Sequence, residues 1–129
     1  MIKISIRTDQ KRQVLDITEI INQEIQKQNF KNGICNLFLT HTTAALTTAD
    51  LDPGTDQDYL AAFEQLIPQL NFTHPHDPFH TPDHILSTLI GTSLTIPVES
   101  GELVLGTWQR VVLIELDGPR ERKLILNTR

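Results

Sequence analysis

Residues 2–7, IKISIR, alternate apolar and polar without a break: Ile2, Ile4 and Ile6 fall on one face, Lys3, Ser5 and Arg7 on the other. That period of two predicts a half-buried strand. The period then changes. In DITEIINQEIQKQNFKNG (16–33), Ile17, Ile20, Ile21 and Ile25 form one helical stripe. Asp16 and Glu19 have the spacing of a capping box, and Gly33 suits the helix end. ICNLFLTHTTAALTT (34–48) has the composition of a buried strand with His41 at its centre. DLDPG (50–54) is turn chemistry, after which Thr55 and Asp58 open a second helix that buries Leu60, Phe63 and Ile67 and stops at Pro68.

Pro75, Pro78 and Pro82 make the next stretch irregular, with Pro82 placed to start a short helix capped by Thr81. In that helix Leu86, Leu89 and Ile90 point inward, and Gly91 ends it. The remainder reads as strands: SLTIPV (93–98), LVLGTWQRVVLIEL (103–116) and KLILN (123–127), joined by Glu-Ser-Gly-Glu and Asp-Gly-Pro-Arg turns. Strands outnumber helices and their connections are short, so the expected class is α+β with a mostly antiparallel sheet. At 129 residues the chain fits one domain spanning 1–129.

Composition narrows the partners. A net charge of −5, with basic residues scattered except for Arg120, Arg122 and Lys123, argues against nucleic acid. No apolar run approaches the roughly 20 residues of a membrane span, and residues 1–30 lack a signal-peptide pattern. The lone Cys35 excludes an intrachain disulfide and fits a reducing compartment, so the expected location is cytoplasmic without membrane contact.

Four of the five histidines, His74, His76, His80 and His84, crowd into HPHDPFHTPDH (74–84) beside Asp77 and Asp83. Imidazoles with carboxylates are the usual ligands of transition metals and the usual carriers of protons. The plain alternative is a solvated loop. Four histidines in so short a span favour a site, and the prolines stiffen whatever the loop presents. His80 and His84 have the i, i+4 spacing of a zincin helix, but HTPDH is not HExxH. His41 is read either as a satisfied core residue or as a ligand, with Thr42 and Thr43 able to bond its second nitrogen or a substrate. Asp77 and Asp83 are expected to cap backbone groups, Asp83 in the first turn of the short helix.

HTTAALTTADLDPG (41–54), FTH (72–74) and HILSTLIGTSLTIPVESGELVLGTWQRVVLIELDGPR (84–120) together resemble the YjbQ-like family, also called the secondary thiamine-phosphate synthase enzyme family. The resemblance spans nearly the whole chain. It implies an antiparallel β-sandwich, jelly-roll-like, with flanking helices, assembled as a homotrimer whose histidine-lined site lies between subunits. It further implies a weak thiamine-phosphate synthase activity. Matched residue by residue, His41, His74 and His84 stand where the family keeps histidines, Asp50 where it has an acidic residue, and Arg120 at the arginine of its DGPR-like end. Two departures stand out. HTPDH replaces the commoner NAHAH, so Pro82 takes a histidine's place and His80 an asparagine's. The acidic segment after HTTAALT is also one residue shorter than the common form. His76 or His80 is left as the candidate fourth ligand.

These readings give His41, His84 and Asp50 as catalytic candidates, with His41, His74 and His84 as metal ligands. Arg120, Thr42 and Ser93 are expected to bind a phosphorylated small molecule, Arg120 with Arg110 or Arg122 through the guanidinium fork. Ser93 and Thr95 either line the pocket or form an exposed face. Joining a pyrimidinylmethyl diphosphate to a thiazole phosphate calls for Mg²⁺ and cationic side chains at the leaving group. Histidines instead select Zn²⁺ or another transition metal, or serve in acid–base transfer. An enzyme acting on a phosphorylated metabolite and a non-catalytic metal- or metabolite-binding protein both remain open. Trp108 and Gln109 are expected on a long strand in a core or trimer contact, Arg122 facing water, and Cys35 as a buried small hydrophobe.

Overall fold

The computed structural model describes residues 1–129 as eight strands and three helices. In order they are β1 (Ile2–Arg7), β2 (Gln13–Asp16), α1 (Thr18–Lys27), β3 (Gly33–Leu39), β4 (Ala44–Ala49), α2 (Thr55–Leu66), a 3-10 turn (Pro78–His80), α3 (Thr81–Ile90), β5 (Ser93–Glu99), β6 (Glu102–Leu103), β7 (Arg110–Glu115) and β8 (Glu121–Thr128). They form a five-stranded sheet, β1-β8-β3-β5-β6, and a three-stranded sheet, β2-β7-β4, in which every pairing is antiparallel. The expected α+β sandwich is the fold. No helix is long and apolar enough to cross a membrane.

Alternation fixes what fills the sandwich. Ile4 and Ile6, Leu37 and Leu39, and Leu124 and Leu126 point inward from the large sheet to meet Leu46, Val111 and Leu113 from the small one. Ile17, Ile21 and Ile25 of α1 close the same core. The small sheet is covered on its other face too, where Ala45, Val112, Ile114 and Leu116 pack with Leu86 of α3. Strand β7 is therefore buried on both faces, with the unbroken apolar run VVLI between Arg110 and Glu115.

Five expectations change. The stretch 34–48 is two strands, since the chain leaves the large sheet at Leu39 and enters the small one at Ala44. His41 sits in the crossing, not in a strand. LVLGTWQRVVLIEL likewise breaks at 104–109, where Trp108 is 70% exposed in a loop. Gln109 holds that loop by accepting from Gly106 N and donating to Thr48 Oγ1. Strand β2 was not expected. It is short and lacks a clean period, and its register against β7 is what defines it. The capping box does not form: Asp16 Oδ1 accepts from the N–H and hydroxyl of Thr18, while Glu19 turns to Arg110. Leu89 and Ile20 are exposed rather than inward.

Candidate functional site

The crossing from β3 to β4 builds the site. Thr40 N and Oγ1 both donate to Lys123 O, the last ladder contacts before the chain swings away. Lys123 N–H would then lack its sheet partner, and an unpaired backbone donor is costly. The imidazole of His41 fills the gap: its Nε2 accepts from Lys123 N at 2.8 Å. A neutral imidazole that accepts at Nε2 carries its proton on Nδ1. Nδ1 makes no bond within the chain and is not among the buried unpaired atoms, so it opens to the surface. Burial lowers the His41 pKa, and the positive charges of Arg122, Arg120 and Lys123 lower it further against an opposing pull from Glu115.

Beneath the crossing lies a buried ion pair. Arg122 Nε donates to Glu115 Oε1 and Oε2 at 3.0 and 3.1 Å, and its Nη2 donates to Thr43 O and Oγ1 as well as to Glu115. Glu115 also accepts from Thr8 Oγ1 and from the N–H groups of Leu116 and Asp117. Arg122 was expected to face water. It instead shares the inward face of β8 with Leu124 and Leu126. Arg110 is not at the site either: it pairs with Asp16 and Glu19 at the opposite end of β7.

Two open grooves flank His41. One, of about 610 Å³, runs between the end of β3 and α3, and His84, Ser87, Thr88 and Thr92 face His41 across it. The other, of about 590 Å³, lies toward the β7–β8 turn and is walled by Arg120 and Glu121. Thr40, His41 and Thr42 belong to both, so His41 stands on the ridge between them. Ser87 fixes α3 here by donating to Ala44 O at 2.6 Å.

The histidine stretch is part site and part anchor. His74 stacks on His84 with ring centroids 4.9 Å apart and a 22° tilt, and His76 meets His74 edge-on at 6.1 Å. His74 Nδ1 accepts from Asp77 N, and Asp77 Oδ1 accepts from Phe79 N. His80 lies between two carboxylates, Nε2 3.0 Å from Asp77 and Nδ1 3.2 Å from Asp117. Asp83 does not cap. It is buried against Arg12 at 2.8 Å with Lys11 at 3.9 Å, and burial raises its pKa despite both cations. Asp117 binds Lys11 and Arg120. Burial pulls its pKa up, but the hydrogen bonds from those two residues carry it below the ordinary value. Arg120 uses Nε and Nη2 on Asp117 and leaves Nη1 free of protein partners.

Of the candidates read from sequence, His41, Thr42, His84 and Arg120 line the grooves, and His74 reaches them by stacking on His84. Asp50 does not join them. It follows β4 at the end remote from His41, roughly 20 Å away at ~3.3 Å per strand residue. Ser93 is also displaced: it is exposed opposite Phe38 on the outer face of the large sheet, and Thr92 takes the groove position.

One chain gathers no three His, Cys, Asp or Glu side chains able to hold a metal. The local geometry explains this, because His41 has spent its lone pair on Lys123 N and the near-parallel rings of His74 and His84 do not converge on one ion. Sequence reasoning missed Glu115, Thr8, Ser87 and Thr92. The alternation of ERKLIL (121–126) does put Arg122 on the face of Leu124 and Leu126, the one available sign of a buried charge.

The fold recurs in known proteins. The model of the family described as "UPF0047 protein YjbQ-like" matches residues 2–129. A UPF0047 protein of Archaeoglobus fulgidus is 33% identical over 125 residues, covering 96% of this chain and 97% of that protein. YugU of Bacillus subtilis, also a UPF0047 protein, is 32% identical over 120 residues, covering 92% and 91%. The crystal structure of an uncharacterized conserved protein of the YjbQ/UPF0047 family from Clostridium acetobutylicum superposes with a TM-score of 0.89 at 32% identity over the whole of both chains. Hypothetical protein APE1520 of Aeropyrum pernix gives a TM-score of 0.90 at 33% identity, covering 98% of this chain and 96% of that one. With the family model matched from end to end of the fold, this chain belongs to the YjbQ-like UPF0047 family.

Proposed function

We propose that the paired grooves bind a small phosphorylated metabolite and that the protein acts on it as an enzyme, with joining of a pyrimidinylmethyl diphosphate to a thiazole phosphate as the first reaction to test. The observation that carries this reading is His41 on a ridge, with Arg120 on one side and His84 on the other. Arg120 offers its free Nη1 to a phosphate. His84 has no hydrogen-bond partner tying up its ring in the first groove and serves as the proton carrier. Glu121 is the carboxylate on the second wall, so Mg²⁺ enters as the counter-ion of a diphosphate ligand rather than as a resident metal.

Both grooves are open, and the outer face of the large sheet leaves Ile34 and Phe38 exposed, with Val104 beyond its edge. A homotrimer covering such apolar surface and closing the grooves is part of the proposal. The free, buried Cys35 suits a cytoplasmic setting.

Turnover of the two phosphorylated substrates by purified protein is the test. Wild type should release diphosphate, and His84→Ala should abolish release while still binding the phosphate ester. Equal loss of binding without any wild-type turnover would make this a binding protein. No binding of either ester would end the proposal.

A further inference from the structure

The crossing at residues 40–43 fixes not only where His41 lies but what its free nitrogen can do. Its Nε2 is committed to Lys123 N–H at 2.8 Å. A ring flip would set a C–H against that N–H, so the orientation is imposed by the sheet and not by the groove. The neighbouring Thr40 bonds, both to Lys123 O, hold the same strand end in register. Below, Arg122, the residue of β8 just before Lys123, is held in the core by Glu115 and Thr43. The ring therefore leans on a strand end tied into the core, and its Nδ1 is left open at the ridge where His41 lines both grooves.

From this geometry we infer that His41 is a fixed Nδ1–H donor that reads an oxyanion, and is neither a metal ligand nor a general base. The inference rests on the phosphorylated-ligand reading above and adds the chemical class the ridge selects: a group with an acceptor oxygen, such as a phosphate monoester or diphosphate. A neutral ring whose only lone pair is occupied cannot coordinate a cation through Nδ1 without losing a proton or leaving Lys123. It can donate without any rearrangement, and a preset donor costs nothing to reorganise when the anion arrives.

The neighbours support the same ligand. Arg120 Nη1 is free on the second groove wall, and the hydroxyl of Thr42 adds a donor beside the ring. Glu121 opposes it, since its carboxylate is on the same wall. Net charge alone therefore does not collect an anion here, and donor geometry must do so. Removing that carboxylate with Glu121→Gln should tighten anion binding several-fold at low salt.

Two substitutions separate the two ring nitrogens. Asparagine at 41 keeps an N–H near the Nδ1 position and loses the acceptor for Lys123. Glutamine at 41 reaches the Nε2 position, keeps that acceptor, and loses the Nδ1 donor. The probe is inorganic phosphate, titrated into the full chain and followed by backbone amide shifts and by the imidazole ¹⁵N signals of His41. Wild type should show a protonated Nδ1 and an unprotonated Nε2, with phosphate moving Nδ1. His41→Asn should bind phosphate near the wild-type level, and His41→Gln should bind roughly tenfold more weakly. Phosphate binding with the proton on Nε2, or undiminished binding by His41→Gln, would overturn the inference and leave the phosphorylated-ligand reading standing. If phosphate moves no amide of residues 40–43 or 119–122, both fail together.

Discussion

Arg122 and Glu115 face each other from different sheets, and their pairing is the one charged contact sealed inside the sandwich. Each side chain is almost wholly enclosed, at 3% and 0% exposure. Removing one partner strands the other in a medium that cannot solvate it. Arg122→Met or Glu115→Gln should each cost about 3–5 kcal/mol in urea unfolding. The double replacement Arg122→Met with Glu115→Gln should recover most of that loss, because neither charge is then left alone and the amide oxygen still accepts from Leu116 and Asp117 N. Additive losses in the double variant would show that the pair is not the unit that matters.

The acid side of the stability curve should carry a signature of His41. Its folded pKa lies below the ordinary 6.5, first through burial and then through Arg122. A base held low binds fewer protons folded than unfolded. The stability it lends is thus complete above pH 6.5 and drains away as pH falls through 6.5 toward the folded value. Proton NMR of the ring should place its midpoint below 6.5. His41→Gln should lose less stability than wild type between pH 7.5 and 5. A midpoint at or above 6.5 would contradict the assignment.

Cys35 is fully buried, and burial alone pushes its thiol up to about 11. It should resist iodoacetamide and aromatic disulfides in the native protein at pH 8 and react at once in denaturant. Native labelling at the rate of a free thiol would mean that β3 opens locally.

Much of the architecture is legible in the sequence because periods of two and 3.6 report which face is buried. IKISIR and KLILN announce β1 and β8, and the stripe of Ile17, Ile21 and Ile25 announces α1. What fails is the reading of boundaries where a strand changes sheets. Across 34–48 the only polar residues are Asn36, His41 and the threonines, none of which is a turn former with a fixed backbone, so one long strand and two strands with a crossing look alike. Asp50 shows the same limit for the site. Nine residues separate it from His41 in sequence, but an extended strand turns that separation into distance. Conversely the Asp-Gly-Pro-Arg turn between β7 and β8 is legible, but no local pattern reveals that the two strands enter different sheets, so that Glu115 and Arg122 meet inside the sandwich.

Strand β8 has one further consequence, for which insertions the gene can accept. It pairs with both β1 and β3, presents Arg122 inward, and supplies Lys123 N–H to His41. One extra residue anywhere in 116–120 would slip this strand by one position. Arg122 would be turned out to water and Glu121 or Lys123 driven into the core, and the amide that holds His41 would move with them. The segment 67–71 answers to no ladder, precedes the His74 stack on His84, and would absorb an added residue at its surface. Length variation among descendants of this chain should therefore collect before α3 and be purged from the turn before β8, with the groove and the core lost or kept as a single inheritance.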